Sequence, residues 1–113
     1  LTRTFDSGAN RNDDEGKLDY EAFLSPLVLK RYAEYLHKHR YLEDGTIRDG
    51  DNWQKGMPIS SYMKSLMRHF MDVWLDHRGY LLPLDGREDA LCGVIFNAMG
   101  MLYEIEKEKE NGS

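Results

Sequence analysis

His69, Asp72 and Asp76 recur at i, i+3 and i+7, a spacing that puts all three on one face of a helix. Such a face presents one imidazole nitrogen and two carboxylates to a divalent cation. Glu88 and Asp89 are placed to join them from the start of a following helix. Hard oxygen donors of this kind suit Mg²⁺ or Mn²⁺, with Asp72 and Asp89 as the candidate catalytic carboxylates. The competing reading makes the same residues a solvated helix face opposite Met67 and Trp74.

A second set has the chemistry of a ligand grip. In the string Asn52-Trp53-Gln54-Lys55-Gly56, a tryptophan in a polar loop can stack on a base. The amides can read ring edges and the lysine can meet a phosphate. A tryptophan that only pins the loop to the core is the alternative. Arg68, just before His69, offers a bidentate phosphate clamp. Lys17 follows Gly16 in Asp14-Glu15-Gly16-Lys17, where backbone and cation can approach an anion together. That string lacks the glycine spacing and the Ser or Thr of a P-loop. Asn97, between Phe96 and Ala98 in an apolar run, is an amide that must find partners when buried. His37, His39 and His77 read as helix-end residues.

Three helices are needed to position these groups. Ser25-Pro26 is an N-cap followed by proline at the first helical position, and Leu29, Tyr32, Ala33 and Leu36 recur behind it at helical spacing. The second helix follows Pro58, capped by Ser60 or Ser61. It carries an apolar stripe of Met63, Leu66, Met67, Phe70 and Trp74 and stops near Gly79. The third starts near Arg87 with acidic residues that suit its N-terminus. Leu91, Val94, Ile95, Ala98, Leu102 and Ile105 follow, with Gly93, Ala98 and Gly100 available for close packing. Residues 41–58 read as a long loop with turns at Asp44-Gly45 and Asp49-Gly50. Residues 1–24 read as an ordered arm anchored by Phe5, Leu18, Tyr20 and Phe23, and residues 104–113 as a fraying charged tail. The expected fold is all-α: one domain over 1–113, with three main helices, long ordered loops and an N-terminal arm.

With 113 residues and 12% aromatic content, the chain can bury a core unaided. A net charge of −5 disfavours nucleic-acid binding while leaving room for a local basic pocket. No run approaches the ~20 apolar residues of a membrane span, and no basic-apolar signal pattern opens the chain, so a cytoplasmic location is expected. Cys92, the one cysteine, sits in an apolar run and reads as a buried structural thiol. Met63, Met67, Met71, Met99 and Met101 exceed what three helices obviously need. They point to a helical homo-oligomer or, equally, to fillers of an irregular core.

Several strings in order carry a resemblance: Phe5-Asp6-Ser7-Gly8-Ala9 through Arg11, Asp14 to Lys17 and Tyr20, Asn52 to Gly56, Arg68-His69, and Glu88-Asp89-Ala90-Leu91 through Asn97. Over nearly its whole length the chain resembles the phage and prophage dATP/dGTP diphosphohydrolase N-terminal domain family, a module joined in longer members to a MazG-like pyrophosphohydrolase. The resemblance implies handling of a purine deoxynucleotide by a phage-type protein in a host cytoplasm. The paired Glu-x-x-Glu and Glu-x-x-Asp helices of MazG chemistry are not found here, and Ala90 stands where some members carry histidine. Two expectations follow: Mg²⁺-dependent hydrolysis to a monophosphate, or binding of a nucleotide or nucleotide-derived defence signal without cutting it. A protein-interaction module using the methionine-rich faces is a third.

Overall fold

The structure, a computed structural model, describes residues 2–4, 6–8, 10–12 and 16–112. It is helical, as the periodicity predicts, apart from a small hairpin in the arm that the sequence did not suggest. There β1 (Thr2–Thr4) pairs antiparallel with β2 (Asn10–Asn12). A single turn, α1 (Tyr20–Phe23), is capped by Asp19, whose carboxylate accepts from the Ala22 N–H at 3.0 Å. The predicted anchors do not anchor: Leu18, Tyr20 and Phe23 are exposed, and Phe5 lies outside the described residues.

The first main helix, α2 (Pro26–Lys38), begins where the cap signal places it. Ser25 Oγ accepts from the Val28 N–H at 3.2 Å, and Pro26 needs no N–H there. α3 (Ile59–His77) starts directly after Pro58 without a side-chain cap, so Ser60 and Ser61 lie inside it. It ends in a Schellman closure. Tyr80 N–H donates to Leu75 C=O, Gly79 N–H donates to Asp76 C=O, and Gly79 takes a φ of 79°. α4 (Arg87–Glu110) runs well past the predicted fraying point, so residues 104–110 are helix rather than tail. Lys107 and Lys109 in its last turn suit the C-terminal end of the dipole.

α3 and α4 form the main packed pair, and α2 leans on α4. Two glycines make the close approach possible. A Cβ at Gly93 would lie 2.5 Å from His69 Nδ1, and one at Gly100 would lie 2.2 Å from the Tyr62 ring. Tyr62 and His69 are two turns apart on α3, as Gly93 and Gly100 are on α4, so two rings of one helix seat in two gaps of the other. Ala98 is exposed and takes no part. Tyr32, Tyr35 and Cys92 form the buried core, with Leu36, Phe96 and Met99 against it. Cys92 is buried, as expected, and burial pushes its thiol pKa up. The α3 stripe behaves differently from expectation. Leu66 is half-buried, whereas Met63, Met67, Phe70 and Trp74 are exposed.

Candidate functional site

The segment predicted as a loop is built from two small devices. After α2 the chain makes a hairpin. Arg48 N–H donates to Arg40 C=O at 2.8 Å, and Leu42 N–H donates to Thr46 C=O. Gly45 sits at φ 86°, the left-handed position that a three-residue hairpin loop requires. The Asp44 carboxylate accepts from both the N–H and the hydroxyl of Thr46, which holds its pKa below the usual range. A 3-10 turn, Asn52–Lys55, then brings Trp53 edge-on to Tyr103 of α4, ring centres 4.6 Å apart. The tryptophan therefore does pin the loop, yet it also lines a groove.

That groove, about 460 Å³, lies among the end of α2, the hairpin, the 3-10 turn and the α3/α4 pair. The volume falls within the range of small-molecule sites. α2 contributes Tyr35, Leu36 and His39. The hairpin contributes Arg40 and Arg48, the turn contributes Asn52 and Trp53, and the helix pair contributes Ser65, His69, Phe96 and Asn97. Among the described residues Asp49 is the one carboxylate in this lining, and it faces Lys55 at 3.6 Å. Arg40 Nε donates to Arg48 C=O at 2.7 Å, which fixes its guanidinium and leaves the two terminal nitrogens without a partner among the described residues. Arg48 is exposed and has no ion pair among the described residues. Asn97 is 3% exposed and donates to Gly93 C=O at 2.7 Å, one turn below the seat of His69.

Of the residues predicted to grip a ligand, Asn52, Trp53 and Asn97 meet here. Lys17 lies in the arm, Arg68 borders a separate shallow depression beside Met67 and Met71, and Lys55 is held by Asp49. Tyr35, His39, Arg40 and Arg48 belong to the groove and were not predicted. Their signal was the placing of Arg40 and Arg48 four residues either side of Asp44, which becomes a cross-strand pairing once the turn is read as a hairpin. His39, taken from the sequence as a helix-end residue, packs at a tilt of 51° against Tyr35 with ring centres 4.4 Å apart, and partial desolvation lowers its pKa.

The predicted metal set does not converge. Among the described residues, no three His, Cys, Asp or Glu side chains form a group able to hold a metal ion. The physical reason is that basic side chains occupy the carboxylates. Asp89, buried, accepts from Arg31 Nη2 at 2.6 Å and from Lys38, and these two hold its pKa below the usual carboxylate range. Glu88 accepts from Arg31 Nε at 2.7 Å, and Asp76 accepts from Arg87 Nε and Nη2 at 2.5 and 3.1 Å. His69 is wedged over Gly93 of α4. Asp72 remains exposed, and with Asp85 and Asp89 it lines a cleft of about 80 Å³ that shares Tyr35, His39 and His69 with the larger groove.

Within the described residues no helix is long and apolar enough to cross a membrane. Compared with known proteins, the chain matches no family model, no curated protein and no solved structure.

Proposed function

We propose that the chain binds a nucleotide or a nucleotide-derived anion in the groove bounded by Arg40, Arg48 and Trp53, and holds it without cutting it. The observation that carries this reading is the pairing of two guanidinium groups with an indole across one groove whose carboxylate among the described residues, Asp49, is drawn toward Lys55. Arginine forks match phosphate oxygens, and an aromatic face takes a base at little cost in specificity. Asn97 and Asn52 supply amides for ring edges. The resemblance to the dATP/dGTP diphosphohydrolase N-terminal domain points to a purine deoxynucleotide as the first ligand to try. Holding is favoured over hydrolysis because Asp76, Glu88 and Asp89 are already neutralised by Arg87, Arg31 and Lys38.

One observation favours the hydrolytic reading: the cleft holding Asp72 and Asp85 adjoins the groove through His39 and His69. Calorimetry with a panel of purine mono-, di- and triphosphates, with and without chelator, followed by chromatography of the recovered ligand, separates the two. Micromolar binding that survives chelator, with the ligand recovered intact, is expected. Chelator-sensitive release of a monophosphate would establish the hydrolase, and no binding across the panel would remove the nucleotide reading altogether.

A further inference from the structure

We infer that Asn97 selects the base of the bound nucleotide: its side-chain oxygen, held toward the groove, takes a purine with an exocyclic amino group, as adenine has. This selection rests on the groove being a nucleotide site and names which base it prefers. Asn97 is 3% exposed, and its Nδ2 donates to Gly93 C=O at 2.7 Å. A carbonyl only accepts, so the nitrogen must be the end that faces Gly93. Turning the amide over would set two oxygens against each other, and its direction is therefore fixed by the helix it stands on.

The oxygen is the end left to a ligand. The buried side-chain atoms without a partner among the described residues are the Tyr62 hydroxyl and Glu104 Oε1. Asn97 Oδ1 accepts from no described residue either, but it is not sealed away with them, and Asn97 lines the groove. The small part of Asn97 that stays open is thus an acceptor in the groove wall. Nearly every polar atom on a buried residue has a hydrogen-bond partner, and a base amino group is a donor of the kind this oxygen lacks.

The neighbouring polar groups make no such directional demand. Ser65 and Asn52 line the same groove, but a hydroxyl rotates to donate or accept. The Asn52 side chain has no hydrogen bond among the described residues to fix which end meets a ligand. Phe96, next to Asn97, also lines the groove, its ring edge-on to Tyr62 with centres 6.0 Å apart. Beside such an apolar wall the local dielectric is low, and a hydrogen bond made or missed counts for more than in water. A site that hydrogen-bonds an N–H rejects the analogue without it, because its own polar atom is left unpaired. A keto oxygen in the amino position fares no better, since it sets acceptor against acceptor.

Calorimetry of the full chain with three deoxynucleoside monophosphates tests this: those of adenine, of unsubstituted purine, which lacks the amino group, and of hypoxanthine, which has a keto oxygen in its place. The adenine form should bind roughly ten- to hundredfold more tightly than either of the others. In Asn97→Ala the three affinities should converge to within about threefold, because the acceptor is gone while the backbone N–H of residue 97 still serves the helix. Should that variant fail to fold, the comparison of adenine with unsubstituted purine on the wild-type protein decides by itself. Equal affinity for adenine and either of the other two, or a preference that persists in Asn97→Ala, overturns the amino selection and leaves the groove reading standing. No binding by any of the three overturns both.

Discussion

The His69 ring occupies the space that a side chain at Gly93 would need, with three ring atoms within 2.7 Å of where a Cβ would stand. Gly93→Ala therefore sets two effects against each other. Replacing glycine inside a helix gains about 1 kcal/mol of propensity, but overpacking a rigid ring costs typically 1–3 kcal/mol. Net destabilisation of up to about 2 kcal/mol is expected in urea denaturation. In a His69→Ala background the same substitution should stabilise by about 1 kcal/mol, because only the propensity gain remains. Equal effects in both backgrounds would show that the two residues do not meet.

Gly93 and Gly100 also show how far the sequence could be read. Glycines inside an apolar helix signalled a close approach, and the cap at Ser25-Pro26 and the stop at Gly79 fixed helix ends to within a residue. What approached the glycines was not legible, because a period of seven on α3 marks Tyr62 and His69 only once α4 is known to run antiparallel against it. The metal set does not form among the described residues, for a different reason. His69, Asp72 and Asp76 do share a face of α3 by their spacing, and Glu88 and Asp89 do open α4, but Arg31 and Lys38 reach the latter two from more than 50 residues away, and Arg87 reaches Asp76 across a loop. Local spacing reports which side chains share a face and says nothing of which long cations arrive from another element.

Arg48 and Trp53 should separate in their response to salt. Arg48→Gln removes a charge-assisted contact and should weaken binding of a nucleoside monophosphate by roughly ten- to hundredfold, with a flatter dependence on ionic strength. Trp53→Leu removes stacking worth about 1–3 kcal/mol and should leave the salt slope as it was. Calorimetry of both variants at 50 and 300 mM salt makes the comparison, and a change of slope in the tryptophan variant would contradict the division of roles.

Tyr62 is almost fully buried, and its hydroxyl has no hydrogen-bond partner among the described residues. An unmade buried bond costs about 1–3 kcal/mol relative to an apolar group of the same shape. Tyr62→Phe should then fold as well as the wild-type protein or gain about 1 kcal/mol. A clear loss in thermal denaturation would mean that the hydroxyl bonds to something, with half-buried Glu104, whose buried Oε1 has no partner among the described residues, the first group to examine.

The pKa of His39 is lowered by burial first and by Lys38 second, while Asp85 and Asp89 pull it the other way and His69 adds a further lowering. In the free protein the ring is accordingly neutral at pH 7. A phosphate in the groove would favour the protonated form and raise that pKa, so binding takes up a proton. Affinity should rise as pH falls from 8 toward 6, and His39→Gln should flatten the profile. A wild-type affinity independent of pH would place the phosphate away from the α2 side of the groove.

Acid should act on the fold through Asp89. An aspartate in an unfolded chain titrates near 3.9, and Lys38 and Arg31 hold the folded value below that. A depressed carboxyl contributes stability that is fully present above about pH 4 and is lost as pH falls through the folded value. Asp89→Asn should therefore be less stable than the wild-type protein at pH 7, because Arg31 and Lys38 lose their shared carboxylate, and the gap should close progressively below pH 4. Urea midpoints measured from pH 2.5 to 7 give both curves. Parallel curves across that range would mean that the carboxylate's charge is not what joins α2 to the start of α4.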